Sequence, residues 1–241
     1  MCGRYAITSS PDVIRSYFGY REHPNFPPRY NIAPTQPVPI VRMKDGVKEF
    51  ALVRWGLVPS WMKEINPSKP MINARAETLL QKPSFKHAAT RRRCLFPADG
   101  FYEWQKIRGA APKPYYIPRK DGGLLAFAGI WEHWQDANGN ELESAALITT
   151  QANKTLEPIH NRMPVILDKT AQEQWLNVAE ITAAKACELL NPADNGLLTA
   201  YRVSPRVNKV ANDDAGLLEN VPVDIEEPEM VAKQQDQLPL L

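Results

Sequence analysis

The segment VPIVRMKDGVKEFALVRW, residues 38–55, holds two apolar runs on either side of one short polar turn. Val38–Met43 and Glu49–Trp55 are rich in β-branched and aromatic residues, which pack well on a pleated sheet. Between them, Lys44-Asp45-Gly46 supplies the Asp-Gly pair that tight hairpin turns favour. The segment therefore predicts an antiparallel β-hairpin.

More strand candidates lie on both sides of this hairpin, whereas few segments have a helical pattern. Helices are predicted from Ser10-Pro11-Asp12 onward, over Thr170–Val178 and over Ile181–Leu190. The proline-rich stretch Pro24–Pro39 is predicted as loop, broken by Arg29-Tyr30-Asn31. Strands outnumber helices and do not alternate with them regularly, which predicts an α+β domain with a curved, largely antiparallel sheet. The other predicted strands are Gly3–Thr8, Met71–Arg75, Arg93–Pro97, Gly100–Trp104, Tyr115–Pro118, Leu124–Trp131, Ala145–Thr150 and Ala200–Val203.

Length and composition indicate one globular domain. The 241 residues suffice for a sizeable core, and 44% of them are hydrophobic, which is typical of a soluble protein. The net charge of +2 does not by itself indicate nucleic acid, so the run Arg91–Arg93 is either a locally basic face or an ordinary solvated one. A single domain is predicted over residues 2–220, followed by a flexible tail over 221–241 that is rich in Glu, Gln and Pro.

The cysteines and histidines indicate neither a disulfide framework nor a metal site. Cys2, Cys94 and Cys187 cannot all pair, and the last two lie in apolar stretches typical of core residues. The four histidines lack the spacing of metal ligands, so no metal and no cofactor is expected. No leader and no run of transmembrane length is present, which predicts a soluble, monomeric protein of a reducing, bacterial cytoplasm.

Cys2 is the first residue with distinctive chemistry. Removal of Met1 leaves a free α-amine beside the thiol of the same residue. An aldehyde condenses with the amine to an imine, and the thiol then adds to the imine carbon to close a five-membered thiazolidine. The α-amine of a free N-terminus has a pKa of about 7.7–8.0, so a neutral fraction exists near pH 7. A cysteine at this position also occurs by chance, but Gly3 allows close backbone approach and Arg4 can hold phosphate.

Two further segments carry groups suited to proton transfer. Glu103 lies between Tyr102 and Trp104 on a predicted strand, so its side chain points away from theirs. Apolar surroundings raise the pKa of such a carboxyl, although an edge-strand glutamate facing water is an equal alternative. His160 and Arg162 lie in a loop closed by prolines, where histidine suits acid–base work and arginine suits phosphate. A merely exposed histidine is the alternative here.

Two more segments are suited to holding a ligand. Asn73 and Arg75 share one face of an extended segment and offer an amide and a guanidinium to the same ligand. Trp61 lies in a proline-shaped loop, where an exposed aromatic ring can stack on unpaired bases. For Trp55, burial in the core is as good an interpretation as stacking on a base.

Taken together, these segments resemble the SRAP family of abasic-site processing proteins. They occur in the order typical of the family over residues 2–212, and their joint occurrence is specific although each alone is weak. The matching segments are Met1–Arg4, Arg29–Pro34, Trp55–Trp61, Ile72–Glu77, Arg93–Trp104, Phe127–Trp131, Ile159–Pro164 and Val203–Asn208. Met62 departs from the pattern, since some relatives have a second aromatic residue there.

The resemblance implies a twisted, barrel-like, largely antiparallel sheet flanked by short helices, with a positively charged channel for single-stranded DNA. It implies that Cys2 attacks the C1′ aldehyde of an abasic sugar, that Asn73 orients the N-terminus, and that Glu103 handles protons. His160 is implied to assist ring opening and reversal of the cross-link. The implied DNA-binding residues are Arg4, Arg75 and Arg162, which would hold phosphates, and Pro34, Trp61 and Trp104, which would pack on bases.

The implied function is that of an abasic-site sensor in DNA repair and the SOS response, with lyase-like Schiff-base chemistry that shields the lesion from strand cleavage. Two alternatives remain. The first is a thiol autopeptidase in which Cys2 removes its own leader, although only Met1 precedes it. The second is a non-covalent single-stranded DNA binder, whose binding would be reversible and strongly salt-dependent.

Overall fold

A computed structural model describes residues 2–66 and 68–222 and builds them mainly from β-strands. The strands are β1 (Tyr5–Ile7), β2 (Arg29–Ile32), β3 (Pro37–Lys44), β4 (Val47–Trp55), β5 (Asn73–Arg75), β6 (Arg93–Ala98), β7 (Gly100–Gln105), β8 (Lys113–Pro118), β9 (Leu125–Gln135), β10 (Glu141–Gln151), β11 (Arg162–Pro164) and β12 (Tyr201–Arg202). The helices are α1 (Pro11–Phe18), α2 (Pro83–Arg91), α3 (Lys169–Leu176) and α4 (Ala183–Cys187), with short 3-10 helices at Ala76–Thr78, Pro205–Asn208 and Ala215–Leu218.

The predicted hairpin is present and forms one side of a closed barrel. Asp45 and Gly46 both have positive φ, as the turn between β3 and β4 requires. β3 also pairs with β6, β6 with β9, and β9 with β10, all antiparallel. A parallel pairing of β10 with β4 closes the ring, so five strands form a mixed barrel.

A second sheet lies against the barrel and is antiparallel throughout, in the order β12-β8-β7-β1-β2. Its inner face contributes Tyr5, whose ring meets Trp55 at 5.4 Å, and Phe101, whose ring meets Phe127 at 5.8 Å. These edge-to-face contacts join the two sheets into one apolar core. The expected α+β fold with a barrel-like, largely antiparallel sheet and few short helices is confirmed.

The outer face of the second sheet is covered by the segment from Ser204 to Leu218, here called the C-terminal strap. Val207 and Leu217 of the strap are buried against Tyr102 and Tyr116 of the sheet. Asn31 is fully buried and its amide donates hydrogen bonds to three strap carbonyls at 2.7–3.2 Å. The strap is therefore bound by both apolar packing and hydrogen bonds.

Several local predictions were wrong in placement. The break expected at Arg29-Tyr30-Asn31 in the proline-rich loop, to which no element was assigned, is strand β2, which pairs with β1. Helix α2 was not predicted, since its sequence PSFKHAATR buries only Ala88 and Ala89 and so has little apolar periodicity. The late helices are shorter than predicted, over Lys169–Leu176 and Ala183–Cys187. The predicted tail lies almost wholly outside the described residues, which end at 222.

The arginine run at positions 91 to 93 is not one basic face. Arg91 is exposed, whereas Arg92 forms an ion pair with buried Glu132 at 2.9 Å. Arg93 is 2% exposed and donates hydrogen bonds to two carbonyls that follow α3. The run divides because it crosses from the end of a helix into β6, where a side chain can point inward.

Candidate active site

Cys2 lies just before β1 and is fully buried. The N–H of Tyr102 donates a 2.9 Å hydrogen bond to the carbonyl of Arg4, which continues the β1–β7 pairing toward the N-terminus. Burial raises the pKa of the Cys2 thiol, and the nearby charge of Glu103 raises it further. The two side chains thus interact electrostatically, and the Cys2 thiol is protonated near neutral pH.

Glu103 lies on β7, which is flanked by β8 and β1 and is therefore not an edge strand. The alternative of an edge-strand glutamate facing water is wrong, because Glu103 is 3% exposed. Tyr102 packs beneath the C-terminal strap, on the opposite face of the sheet, as the alternation of a strand requires. Burial raises the pKa of Glu103 to about 7, so both its acid and its carboxylate forms are present near neutral pH.

Asn73 joins the two sheets at the site. It begins β5, which pairs in parallel with β10, and its amide donates a 2.8 Å hydrogen bond to the Cys2 carbonyl. The Oδ1 atom of Asn73 is buried and accepts no hydrogen bond from the described residues. Trp55 stabilises this position, since its indole N–H donates a 3.0 Å hydrogen bond to the Ile72 carbonyl. Asn73 therefore fixes the backbone of Cys2 and keeps one acceptor available.

His160 is half-buried, just before β11. The backbone nitrogen of Arg162 lies 3.0 Å from Nδ1 and the Arg162 carbonyl lies 3.3 Å from the same atom, so the backbone of Arg162 holds the ring at Nδ1. Burial lowers the pKa of His160, and the positive charges of Lys106 and Arg162 lower it further. His160 is thus a neutral imidazole near pH 7 that is held in place at Nδ1.

The loop that carries His160 lies on the same side of the second sheet as Glu103. Glu103 and Gln105 are two residues apart on β7, so both side chains leave the same face. The Gln105 amide donates a 3.0 Å hydrogen bond to the carbonyl of Pro158, two residues before His160. The structure therefore brings Glu103 and the His160 loop together.

A cavity of about 830 Å³ opens beside this loop. It is lined by Arg75, Lys106, Gln151, Ala152, Glu157, His160, Asn161 and Arg162. Cys2, Asn73 and Glu103 are not in that lining. The structure thus divides six of the predicted residues into an inner set, which is buried Cys2 and Glu103 with half-buried Asn73, and a cavity set, which is His160, Arg75 and Arg162.

Two of the predicted phosphate-binding arginines are engaged within the protein. The guanidinium of Arg162 contacts Glu77 in bidentate fashion at 2.6 and 3.0 Å and donates a 2.6 Å hydrogen bond to the Thr149 carbonyl. Arg4 donates 2.7 Å hydrogen bonds to Asn31 Oδ1 and the Val207 carbonyl. Both contacts position the arginines and leave them fewer donors for a ligand.

Trp104 is brought together with Arg4 and lies away from Glu103. The Arg4 guanidinium lies 5.7 Å from the centre of the Trp104 ring. The Trp104 indole N–H donates a 2.7 Å hydrogen bond to Asn208 of the strap. Neighbouring residues on a strand face opposite ways, so Trp104 and Glu103 belong to different faces of the second sheet.

Trp61 and Pro34 are both at the surface, in separate loops. Trp61 is 62% exposed, as its loop position predicts, whereas Trp55 is fully buried, which decides between the two alternatives left open for Trp55. The Trp61 loop is held by the Trp134 indole, which donates a 2.6 Å hydrogen bond to the Met62 carbonyl. Pro34 is half-buried in the turn after β2.

Sequence reasoning did not single out two residues that the structure places at the site, Glu77 and Lys106. Glu77 follows Arg75 by two positions, but nothing in the sequence shows that Arg162 reaches it from the other side of β10. In the sequence, Lys106 cannot be told apart from the other lysines. Only the structure shows that it lines the cavity. No group of three His, Cys, Asp or Glu that could hold a metal occurs among residues 2–66 and 68–222. Within the same range, every helix is too short or too polar to cross a membrane.

Comparisons with known proteins agree on one family. The family model described as SOS response associated peptidase (SRAP) matches residues 1–210. The abasic site processing protein YoqW of Bacillus subtilis (strain 168) is 38% identical over 223 residues, which cover 91% of this chain and 100% of that protein. The abasic site processing protein HMCES of Gallus gallus is 34% identical over 275 residues, covering 96% of this chain and 80% of that protein.

Solved structures share the fold. A crystal structure of a protein from Bacteroides thetaiotaomicron has a TM-score of 0.83 and 28% identity, covering 92% of this chain and 100% of that chain. A crystal structure of a phage-related protein from Bordetella bronchiseptica has a TM-score of 0.67 and 31% identity, covering 84% of this chain and 94% of that chain.

Proposed function

Since the chain belongs to the SRAP family, we propose that it processes abasic sites in single-stranded DNA by forming a covalent thiazolidine through Cys2, once Met1 has been removed. The observation that carries this proposal is the grouping of Cys2, Asn73 and Glu103, with the 2.8 Å hydrogen bond from Asn73 to the Cys2 carbonyl at its centre. The names of the relatives YoqW and HMCES support abasic sites as the target.

The reaction begins with opening of the sugar ring. An abasic sugar is a cyclic hemiacetal, and it becomes an aldehyde when C1′–OH loses a proton and the ring oxygen gains one. With its ring proton on Nδ1, His160 takes the C1′–OH proton at Nε2 and then gives that proton to the ring oxygen, while the Arg162 backbone holds Nδ1. Its lowered pKa keeps the ring neutral, so it can return to the same state after each transfer.

The amine of Cys2 then attacks C1′ and gives a carbinolamine. Glu103 in its acid form protonates the hydroxyl, water leaves, and an iminium ion remains with Glu103 as the carboxylate. Glu103 next takes the proton of the Cys2 thiol, and the thiolate adds to C1′ to close the ring. Glu103 is again protonated, the nitrogen is neutral, one water has been released, and no atom has been oxidised or reduced. A pKa of about 7 suits Glu103 to both steps.

The high pKa of the Cys2 thiol explains why a base is needed beside it. A buried thiol is a poor nucleophile until it loses its proton, and Glu103 is the carboxylate whose charge reaches Cys2. Asn73 positions Cys2, and its buried Oδ1 can accept a hydrogen bond from the freed amine. Closure to the thiazolidine consumes the imine and so shields the DNA from β-elimination.

The DNA is held mainly by contacts to its backbone, since an abasic nucleotide has no base to read. Arg75 is exposed in the cavity and is the primary phosphate ligand among the three predicted arginines. Arg162 and Arg4 contribute their remaining donors. Trp61 stacks on a base next to the abasic nucleotide. Trp104 and Pro34 pack on neighbouring bases of the same strand.

The test is a denaturing gel of the purified protein with a single-stranded oligonucleotide that carries one abasic site. A heat-stable shifted band is expected, and it must be lost with Cys2→Ala and with a tetrahydrofuran analogue that cannot open to an aldehyde. Cys187→Ala is the matched control, because this half-buried thiol lies on α4 and the band should persist. Intact mass must show Cys2 as the first residue.

Two alternative results would point elsewhere. No shifted band, with the N-terminus confirmed as cysteine, would overturn the covalent mechanism. Binding that then persists after chemical blocking of the N-terminal amine and falls steeply with salt would favour a reversible DNA binder. Retention of Met1 in Cys2→Ala but not in the wild type would favour the autopeptidase.

A further inference from the structure

Three cations line the cavity beside His160, and they differ in what they already bind. Arg162 is held by Glu77 and by the Thr149 carbonyl, and its side chain is 13% exposed. Its charge is therefore largely compensated inside the protein. Arg75 and Lys106 are both exposed, and neither makes a side-chain hydrogen bond or ion pair with the described part of the chain.

The two exposed cations lie on different sheets. Arg75 ends β5, two residues after Asn73, and β5 pairs with the barrel strand β10. Lys106 directly follows β7, three residues after Glu103, and belongs with the second sheet. Asn73 and Glu103 both interact with Cys2, so each cation follows closely in sequence a residue that interacts with Cys2, and both cations line one cavity.

The electrostatics agree with a position of Lys106 that faces this cavity. Burial is the main cause that lowers the pKa of His160, and the charge of Lys106 also lowers it. Glu157 is the only carboxylate in the described lining, against the three cations. An anion that enters the cavity therefore meets Arg75 and Lys106, neither of which is ion-paired with a described residue, against the single carboxylate of Glu157.

Resting on the proposed function, we infer that Lys106 is a phosphate-binding residue that works as a pair with Arg75, each contacting a phosphodiester on one side of the abasic nucleotide. The strand then passes between the two sheets, with the sugar held above Cys2. A lysine suits this place because a phosphodiester in an open cavity needs a point charge and no fixed bidentate geometry. Arg162, in contrast, uses the bidentate geometry of its guanidinium to bind Glu77.

The test measures reversible binding and covalent reaction separately, in the full-length protein. Reversible binding uses a fluorescent single-stranded oligonucleotide with the tetrahydrofuran analogue, titrated at several salt concentrations. For Lys106→Gln, the Kd is expected to rise about threefold to tenfold and the slope of log K against log salt to fall by about 0.7, the loss of one phosphate contact. Lys106→Arg should keep both values, since it retains the charge.

Lys185→Gln is the matched control, because it removes an exposed lysine of α4 that pairs with Glu188. It should leave the Kd and the salt slope unchanged. Lys106→Gln with a wild-type Kd and slope would overturn the inference, even if the wild type forms the cross-link. A wild type that binds the analogue in a Lys106-dependent way but forms no cross-link with the true abasic site would instead overturn the covalent mechanism alone.

Discussion

The side-chain amide of Asn73 donates a 2.8 Å hydrogen bond to the backbone carbonyl of Cys2. Asn73 begins β5, which pairs with the barrel strand β10, while Cys2 precedes the first strand of the second sheet. One hydrogen bond thus fixes Cys2 of one sheet by a residue of the other. The position of Cys2 depends on the packing of two sheets and not on local structure alone.

Asn73→Ala should slow formation of the cross-link about tenfold to a hundredfold, which corresponds to the loss of one buried hydrogen bond. The reason is that the Cys2 backbone loses its anchor and the amine loses an acceptor. Single-turnover rates on abasic single-stranded DNA measure this. Asn25→Ala, an exposed asparagine in a loop, is the control and should react at the wild-type rate. Equal rates for both variants would contradict the role of Asn73.

Glu103 makes stability depend on pH, with a sign that follows from its raised pKa. Its pKa is about 7 in the folded protein and 4.5 in the reference state, so the folded state binds more protons between these values. Its contribution to stability is complete below pH 4.5 and is lost as the pH rises through 7. The free energy of unfolding should therefore fall over this window by at most about 3 kcal/mol on account of Glu103.

Glu103→Gln removes this titration. Denaturant unfolding at about pH 5 and about pH 8 should show that the variant gains stability relative to the wild type as the pH rises. In the same variant, the pH–rate profile of cross-linking should lose its transition near pH 7, and the rate should fall about a hundredfold or more. Identical pH dependence in both proteins would show that Glu103 does not titrate in this range.

His160→Ala should slow the reaction of a natural abasic site about tenfold to a hundredfold, the lower range for a positioned acid or base. The effect should nearly vanish with an oligonucleotide that carries a non-cyclising aliphatic aldehyde, since no ring has to open. The ratio of the two rates is the measurement. An equal loss on both substrates would assign His160 to a later proton transfer.

Glu77→Gln should act on the reaction through Arg162 and His160. Glu77 compensates the Arg162 guanidinium, and the Arg162 backbone holds the ring of His160 at Nδ1. The hydrogen bond from Arg162 lowers the pKa of Glu77, so this ion pair is formed at neutral pH. The cross-linking rate should fall about threefold to tenfold, while stability falls by less than about 1 kcal/mol because Glu77 is half exposed.

A positioning role for Glu77 is separable from a general defect. Its effect should disappear with the non-cyclising aldehyde, as for His160, and Glu77→Asp should recover part of the rate. A loss of equal size on both aldehydes would contradict the connection to His160.

Trp61→Ala should weaken reversible binding of single-stranded DNA by about 1–3 kcal/mol, the value of one base stacked on an aromatic ring. Stability should change little, because the side chain is 62% exposed. Leu52→Ala is the matched control, since Leu52 is also a large apolar residue and is 51% exposed. Equal Kd values for the two variants would exclude stacking on Trp61.

Much of the fold and part of the site followed from local pattern. The hairpin at Lys44–Gly46 was predictable because Asp-Gly tolerates the positive φ of its turn. The direction of Glu103 followed from strand alternation, and the exposure of Trp61 from its place in a loop. These are properties of a residue and its neighbours in sequence.

Helix α2 was not predictable in this way, because packing with distant segments stabilises it against a weak local preference. Whether an arginine is free to bind a ligand is also not predictable from local sequence. The sequence shows Arg93 and Arg162 as cations suited to phosphate, but whether each is free depends on carbonyls and carboxylates that only the folded chain brings near.

The sequence by itself determined the chemical groups of this protein, namely a cysteine at position 2, a carboxyl among aromatic residues and a loop histidine. It also determined the face of Glu103, since backbone alternation on a strand is a local rule. Tertiary structure alone decided the pKa of Glu103, the anchoring of Cys2 by Asn73 and the exposure of Lys106 beside a compensated Arg162. The physical reason is that burial and charge pairing depend on distance in space, and residues far apart in the chain come close only when the two sheets pack.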